Sequence, residues 1–186
     1  TKPIAGTLRK TKKINHNKAL TFFRRNEKET KEHNMIVDME RNDLSKICKT
    51  GSVKIDKLKT VEEYRDLFHY VTTIKGVLKN KITNHEIISS LMPGGSVIGC
   101  PKISTIQLLN QKEKSDRNIY TGSFGIIHSN GDMRFNIMIR TLLNFKNAIE
   151  LSVASGVILG STAKKEYNEN YINCLLYTSP SPRDLP

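Results

Sequence analysis

Between residues 18 and 48 the mix of apolar and charged positions reads as one helical stretch, reached from an extended segment at 3–8 through a basic linker. Gly51-Ser52 turns the chain into Val53-Lys54-Ile55, whose alternation is that of a strand. Thr60-x-x-Glu63 and Thr83-x-x-Glu86 have the spacing of capping boxes, in which hydroxyl and carboxylate each accept the other's backbone N–H. Each predicts the start of a short helix. The β-branched stretch 69–78 lies between them and reads as a strand. Residues 93–102 are glycine-rich and predict a loop, with Pro101 pre-set as the first residue of a helix running to about Lys114. Three long strands are expected beyond it, over 118–129, 132–145 and 148–160. Asn130-Gly131 is a two-residue hairpin signal between the first two, and Lys146-Asn147 marks a tight turn before the third. Ser161 or Thr162 then caps a last helix. The order of elements predicts an α+β fold, an antiparallel sheet layered with helices.

Two acidic pairs fall on the predicted helices: Glu29 and Glu32 in E-T-K-E-H, and Glu166 and Glu169 in E-Y-N-E-N. Each is spaced i, i+3, so its two carboxylates share a helix face. Carboxylates gathered at one point raise one another's pKa unless a cation intervenes. Two such helices facing a common point would suit magnesium, with hard oxygen ligands and room for water and substrate. In a lysine- and glutamate-rich chain the same spacing also describes a solvated helix face, and spacing alone does not choose between them.

Composition narrows the classes. A chain of 186 residues, 37% hydrophobic and 26% charged, suits a globular domain with a real core. No run approaches the roughly 18 apolar residues of a membrane span and no signal-peptide pattern opens the chain, so no membrane partner and a cytoplasmic setting are expected. The net charge of +12 is mostly scattered lysine, with denser groups at Arg9, Lys10, Lys12 and Lys13 and at Arg24 and Arg25. Without a zinc-finger spacing, an RNA-recognition signature or aromatic-basic interleaving, this excess describes a surface that attracts a small anion, and no nucleic acid is expected. Cys48, Cys100 and Cys174 are odd in number, far apart and form no metal or redox motif. Residues 177–186 hold three of the six prolines, and Pro180 and Pro182 forbid a helix there. That string looks like translated sequencing-adapter DNA, so 174–186 are read as a non-native tail and 1–173 as the native segment.

Seven strings, in order, carry a resemblance: P-I-A-G-T (3–7), E-H-N-M-I-V-D-M-E-R-N-D-L (32–44), G-S-V (51–53), P-G-G-S-V-I-G-C-P-K (93–102), Y-T-G-S-F-G (120–125), F-N-I-M-I-R-T (135–141) and E-Y-N-E (166–169). Together they resemble the chorismate-utilising enzymes, aminodeoxychorismate synthase component I and anthranilate synthase component I, over essentially all of 1–173. The resemblance implies the C-terminal part of the chorismate-binding catalytic domain, incomplete at its N-terminus. It implies magnesium as cofactor, with Glu32 and Glu169 as direct ligands and Glu29 and Glu166 in the same acidic cluster. Chorismate carries two carboxylates, a C4 hydroxyl leaving group and an enolpyruvyl ether. By the resemblance, Arg140 pairs with the second carboxylate, Tyr120 hydrogen-bonds nearby, and backbone amides around Gly156 assist. Alternation alone places Arg140 on the polar face of a strand, with Arg134, Asn136 and Met138. His69 matches the histidine that protonates the departing hydroxyl. Gly95 and Ser96 lie in the loop that approaches the ring carboxylate, and Gly6 and Thr7 line the same pocket.

Departures from the pattern bear on the branch. Aminodeoxychorismate synthases commonly carry lysine where this chain has Ala5, so no nucleophilic amine is present and ammonia must attack C2 directly, as in anthranilate synthases. The strings at 94–96, 120–123 and 135–137 favour the aminobenzoate branch. Gly160 stands where the family usually has aspartate, and Arg134 replaces a frequent acidic residue. The reading is a chorismate aminase of the aminodeoxychorismate synthase type, serving p-aminobenzoate and folate synthesis, with ammonia supplied by a glutamine amidotransferase subunit. Anthranilate synthase component I is the alternative, and a non-catalytic basic binding module the alternative of a different class. With half of its core partners absent, the 186-residue polypeptide alone is expected to be inactive and unstable.

Overall fold

A computed structural model of the chain describes residues 1–65 and 67–175, without the side chains of Glu169 and of 172–175. Two compact units are distinguished, Thr1–Asn110 and a second from Gln111 onward. Of the tail read at 174–186, residues 176–186 lie outside those described.

In the first unit, β1 (Ile4–Arg9), β2 (Lys54–Glu63) and β3 (Leu67–Lys75) form an antiparallel sheet in the order β1-β3-β2. The central strand is the most β-prone and most apolar of the three. Phe68, Tyr70, Thr72 and Ile74 are all at most 1% exposed. On that face lie α1 (His16–Arg25) and α2 (Glu27–Ile47). Phe23 of α1 stacks on Tyr70 with ring centroids 5.0 Å apart. Ala19, Val61, Phe68, Leu8 and Leu20 close the cluster around them. Each such fully buried large side chain stabilises the fold by about 1.5–3 kcal/mol.

The expected single helix over 18–48 is two helices, broken at Asn26. Asn26 ends α1, donating its N–H to the Phe22 and Phe23 carbonyls, and begins α2, accepting the Glu29 N–H on its side chain. An asparagine amide competes with the helical backbone in this way, which is why it interrupts here. Lys54–Glu63 is a continuous strand, so no helix starts at Thr60. The Thr60 hydroxyl donates instead to the Val71 carbonyl at 3.2 Å, and Val61 is buried against β3. Tertiary burial overrides the local cap. The second box is real: Thr83 caps α3 (Asn84–Leu91) and Glu86 reciprocates. The glycine-rich segment contains a one-turn helix, α4 (Gly95–Ile98), and Pro101 sits just before α5 (Lys102–Lys112), its carbonyl accepting the Thr105 N–H.

The second unit carries two hairpins and a helix. The strand expected over 118–129 is β4 (Ser123–Ile127), preceded by a turn. Its partner β5 (Met133–Ile137) is reached through a three-residue loop, Ser129 to Gly131, closed by the His128 N–H on the Asp132 carbonyl, rather than through a two-residue turn. The strand expected over 132–145 breaks between β5 and β6 (Leu142–Asn144), and the one over 148–160 shrinks to β7 (Ile149–Leu151). The turn at Lys146-Asn147 holds, with Phe145 and Ala148 bonded across it. Then α6 (Ala163–Leu175) begins after Thr162, whose carbonyl accepts the Lys165 and Glu166 N–H groups. Among the described side chains of this unit, Phe124 is 73% exposed and Leu159 fully so, whereas only Thr121 and Glu166 are buried. Its apolar hairpin surface therefore has little core of its own.

Candidate active site

Helix α2 organises the first unit's candidate residues. With 3.6 residues per turn, Glu29, Glu32, Glu40 and Asp43 fall on one stripe of its surface. The N-terminal end of that stripe meets β1. A Cβ built on Gly6 would stand 2.9 Å from Glu29 Oε2 and 2.8 Å from the Phe23 ring, so only glycine admits the carboxylate there. Gly6 also has φ +95°, a backbone that side chains rarely adopt. Glu29 occupies the first turn of α2, where the helix dipole also favours a negative charge. Glu29 and Glu32 are both half-buried.

The C-terminal half of the stripe meets the glycine-rich segment. Ser96 Oγ donates to Glu40 Oε1 at 3.2 Å, and the Gly95 N–H donates to Asp43 Oδ2 at 3.2 Å. A Cβ on Gly95 would meet Asp43, Cys100 and Met39 at an ordinary 3.5 Å. Glycine at 95 is thus not required by crowding against α2 or Cys100. Neither Glu40 nor Asp43 had been singled out from the sequence. Their signal was the helical period that puts them in line with the Glu29–Glu32 pair.

His69 lies within β3, directly opposite Thr7 of β1 and Glu62 of β2. These three side chains share the sheet face opposite Phe68 and Tyr70. The His69 ring tilts against Tyr64 at 5.2 Å. Glu62 accepts the Tyr64 hydroxyl at 2.8 Å and Lys2 at 3.2 Å, and these contacts, with the His69 charge, hold its carboxyl below the usual range. Thr7 is exposed and His69 half-buried, with both ring nitrogens of His69 shielded from solvent.

A further histidine sits behind α2. His33 is fully buried, its Nε2 2.6 Å from the Thr72 hydroxyl, which also accepts the Lys59 N–H at 3.0 Å. Burial, aided by the Lys59 charge and opposed by a hydrogen bond to the Ala5 backbone, lowers its pKa to about 4. The imidazole is therefore neutral at physiological pH and ties α2 to β3.

In the second unit, Tyr120 stands in the turn before β4, half-buried, with burial pushing its hydroxyl pKa up. Beside it Arg117 forks onto Glu113 at 2.8 and 2.6 Å and reaches Thr121 at 3.3 Å. Arg140 does not lie on a strand: it occupies the break between β5 and β6 with φ +50°, so strand alternation does not set its direction. It is exposed and, among the described residues, has no ion-pair partner. Gly156 is exposed in the segment between β7 and α6. Glu166 is 7% exposed on the first turn of α6. Glu169 lies one turn on, its side chain outside the described residues. Among the described residues no three His, Cys, Asp or Glu side chains gather as a metal cluster. No described helix is long and apolar enough to cross a membrane.

The first unit of this α+β protein thus sets an acid-striped helix beside a glycine-rich segment. The model of the chorismate binding enzymes matches residues 1–172, and the chain belongs to that family. It is 37% identical over 172 residues to aminodeoxychorismate synthase component 1 of Bacillus subtilis (strain 168), covering 92% of this chain and 37% of that protein. It is 36% identical over 171 residues to an anthranilate synthase component I-like protein of Synechocystis, covering 91% and 35%. Among solved structures it is similar to anthranilate synthase component I from Streptococcus pneumoniae, with TM-score 0.74 and 34% identity over 93% of this chain and 38% of that one. The menaquinone-specific isochorismate synthase from Escherichia coli shares the fold, with TM-score 0.77 at 21% identity, covering 94% of this chain and 40% of that one. The chain thus spans little more than a third of the curated relatives it matches.

Proposed function

We propose that the protein carrying this segment is a magnesium-dependent chorismate aminase of the aminodeoxychorismate synthase component I type, fed with ammonia by a glutamine amidotransferase subunit. The observation that carries the reading is the stripe on α2, which brings three strings of the family pattern onto one helix face: Gly6 against Glu29, and Gly95 and Ser96 against Asp43 and Glu40. From Glu32 to Glu40 is eight residues, about 12 Å along the axis, a span suited to a ring substrate and a hydrated ion.

The donor set fits magnesium. Glu29 and Glu32 offer hard oxygens from one helix face, and Mg²⁺ commonly binds through one or two carboxylates while keeping several waters. The glycine at 6 leaves clear the space beside Glu29 that a Cβ would fill. Glu32 and Glu169 would be the direct ligands, with Glu29 and Glu166 in support. When bound, the ion supplies Lewis-acid polarisation of the ring carboxylate and the adjoining diene. The chain's own groups do the rest. Ser96 and the backbone near Gly95 hold the ring carboxylate. Arg140 pairs with the second carboxylate, for which its planar guanidinium offers a two-point contact. Tyr120, whose phenol is protonated, donates a hydrogen bond in that region, assisted by amides near Gly156. His69, on the same sheet face as Thr7, delivers a proton to the departing C4 oxygen.

Ala5 favours the second reading, anthranilate synthase component I. It is 5% exposed and carries no amine, so ammonia attacks the ring without a covalent adduct to the chain. Incubation of the whole protein with chorismate, magnesium and ammonia separates the two. A product that needs a separate lyase to yield aminobenzoate supports the first, and fluorescent anthranilate formed directly supports the second. Absence of magnesium-dependent chorismate consumption refutes both, and full turnover after Glu32→Ala removes the metal assignment.

A further inference from the structure

Asp43 lies one turn before the end of α2, with 5% of its side chain exposed. Its Oδ1 accepts from Lys46 at 3.0 Å, and its Oδ2 accepts from Lys102 at 2.8 Å and from the Gly95 N–H at 3.2 Å. Gly95 and Lys102 bracket the glycine-rich segment, one at the start of α4 and the other at the start of α5. Lys102 also donates to the Ser90 carbonyl at 3.2 Å, which anchors the same point to α3. A buried carboxylate needs its charge compensated, and two ammonium groups already do that. The third donor adds something else: it ties the main chain next to Ser96 to the helix that carries Glu29 and Glu32.

We propose that Asp43 is a positioning residue, which holds both ends of the 95–102 segment on α2 and so sets where Ser96 presents its backbone amide to a substrate carboxylate. The proposal rests on the chorismate reading for the identity of that carboxylate, and on geometry alone for the clamp. A loosened segment weakens the hold on that carboxylate before the reaction begins, in the ground state as in the transition state, so losing the clamp raises KM and changes kcat little.

The decisive variant is Gly95→Pro, which deletes one N–H and leaves Asp43 in place. Proline is tolerated at the first position of a helix, Gly94 before it has φ −65° and ψ 139°, and a Cβ at 95 meets its neighbours at 3.5 Å. Gly95→Ala keeps the N–H and is the reference for the added carbon. In the whole protein, Gly95→Pro should raise KM for chorismate about 10-fold over Gly95→Ala, the effect of one hydrogen bond to a charged acceptor, with kcat changed less than about 3-fold. Asp43→Asn, which sets an amide donor among donors, should do the same relative to wild type. It should also speed hydrogen exchange of the Gly95 amide about 10-fold while β3 amides keep their protection. Equal KM values for the proline and alanine variants, or a fall in kcat alone, overturn the positioning role. If the unaltered protein consumes no chorismate, the functional reading falls instead. The clamp is then judged by the exchange measurement, where an unchanged Gly95 amide in Asp43→Asn overturns it.

Discussion

Replacing Gly6 with alanine tests how the sheet makes room for the acidic pair. Two separate costs apply. The backbone at φ +95° is left-handed, which costs a residue with a Cβ about 1–2 kcal/mol. The new methyl would also stand 2.8 and 3.0 Å from two Phe23 ring atoms and 2.9 Å from Glu29 Oε2. Glu29 can swing aside because its carboxylate ends a flexible chain. Phe23 cannot: it is fully buried and stacked on Tyr70. Overpacking of such a site costs about 1–3 kcal/mol, so Gly6→Ala should destabilise the first unit by about 3 kcal/mol in all. Gly51 separates the two contributions, since it has φ +74° but nothing within 4 Å of a built Cβ, and Gly51→Ala should cost only the backbone part, about 1 kcal/mol. Urea unfolding followed by circular dichroism and tyrosine fluorescence reads both, the latter because the chain has six tyrosines and no tryptophan. Magnesium titration of Gly6→Ala should show weaker binding, because relief of the clash turns Glu29 away. If Gly6→Ala loses no more stability than Gly51→Ala, the contact with Phe23 is not as tight as the geometry requires and the reasoning fails.

His33 gives the protein an acid-sensitive core. Its folded pKa of about 4 lies below the free value of 6.5, so between those values the unfolded chain binds a proton that the folded one refuses. Stability from this residue is intact above pH 6.5 and declines as the pH falls to about 4, by about 3 kcal/mol in total. Denaturant midpoints at pH 7, 5.5 and 4.5 should show the slope, and His33→Gln should flatten it by close to one proton; an unaltered slope would falsify the assignment. Thr83→Ala removes the hydroxyl that caps α3 and should cost about 1 kcal/mol, with faster amide exchange confined to 84–88. The exposed apolar hairpins of the second unit, Phe124 and Ile149 among them, should make the isolated chain bind a hydrophobic dye, and Phe124→Ser should reduce that signal without lowering the urea midpoint.

Much of the fold follows from local chemistry and is legible residue by residue. The Thr83–Glu86 box, the turn at Lys146-Asn147, the helix after Pro101 and the one after Thr162 are each specified by side chains within a few positions, which is why they form as expected. The i, i+3 pair at Glu29 and Glu32 belongs to the same class, since a helix face is a property of spacing. The failures share a cause at longer range. Thr60 and Glu63 satisfy a capping pattern, yet burial of Val61 against a distant strand draws the segment into β2. The segment 132–145 reads as one strand, yet it breaks at Arg140, whose left-handed backbone takes the guanidinium off the strand. Gly6 is an ordinary glycine in the string P-I-A-G-T, and only its approach to Phe23 and Glu29 shows why no other residue fits. Asp43 is one acid among eighteen acidic residues until packing sets Gly95 and Lys102 on a single oxygen. Backbone propensity and helical period act within a few residues and can be read along the chain. Burial, steric exclusion and the sharing of a buried carboxylate depend on which distant segments meet.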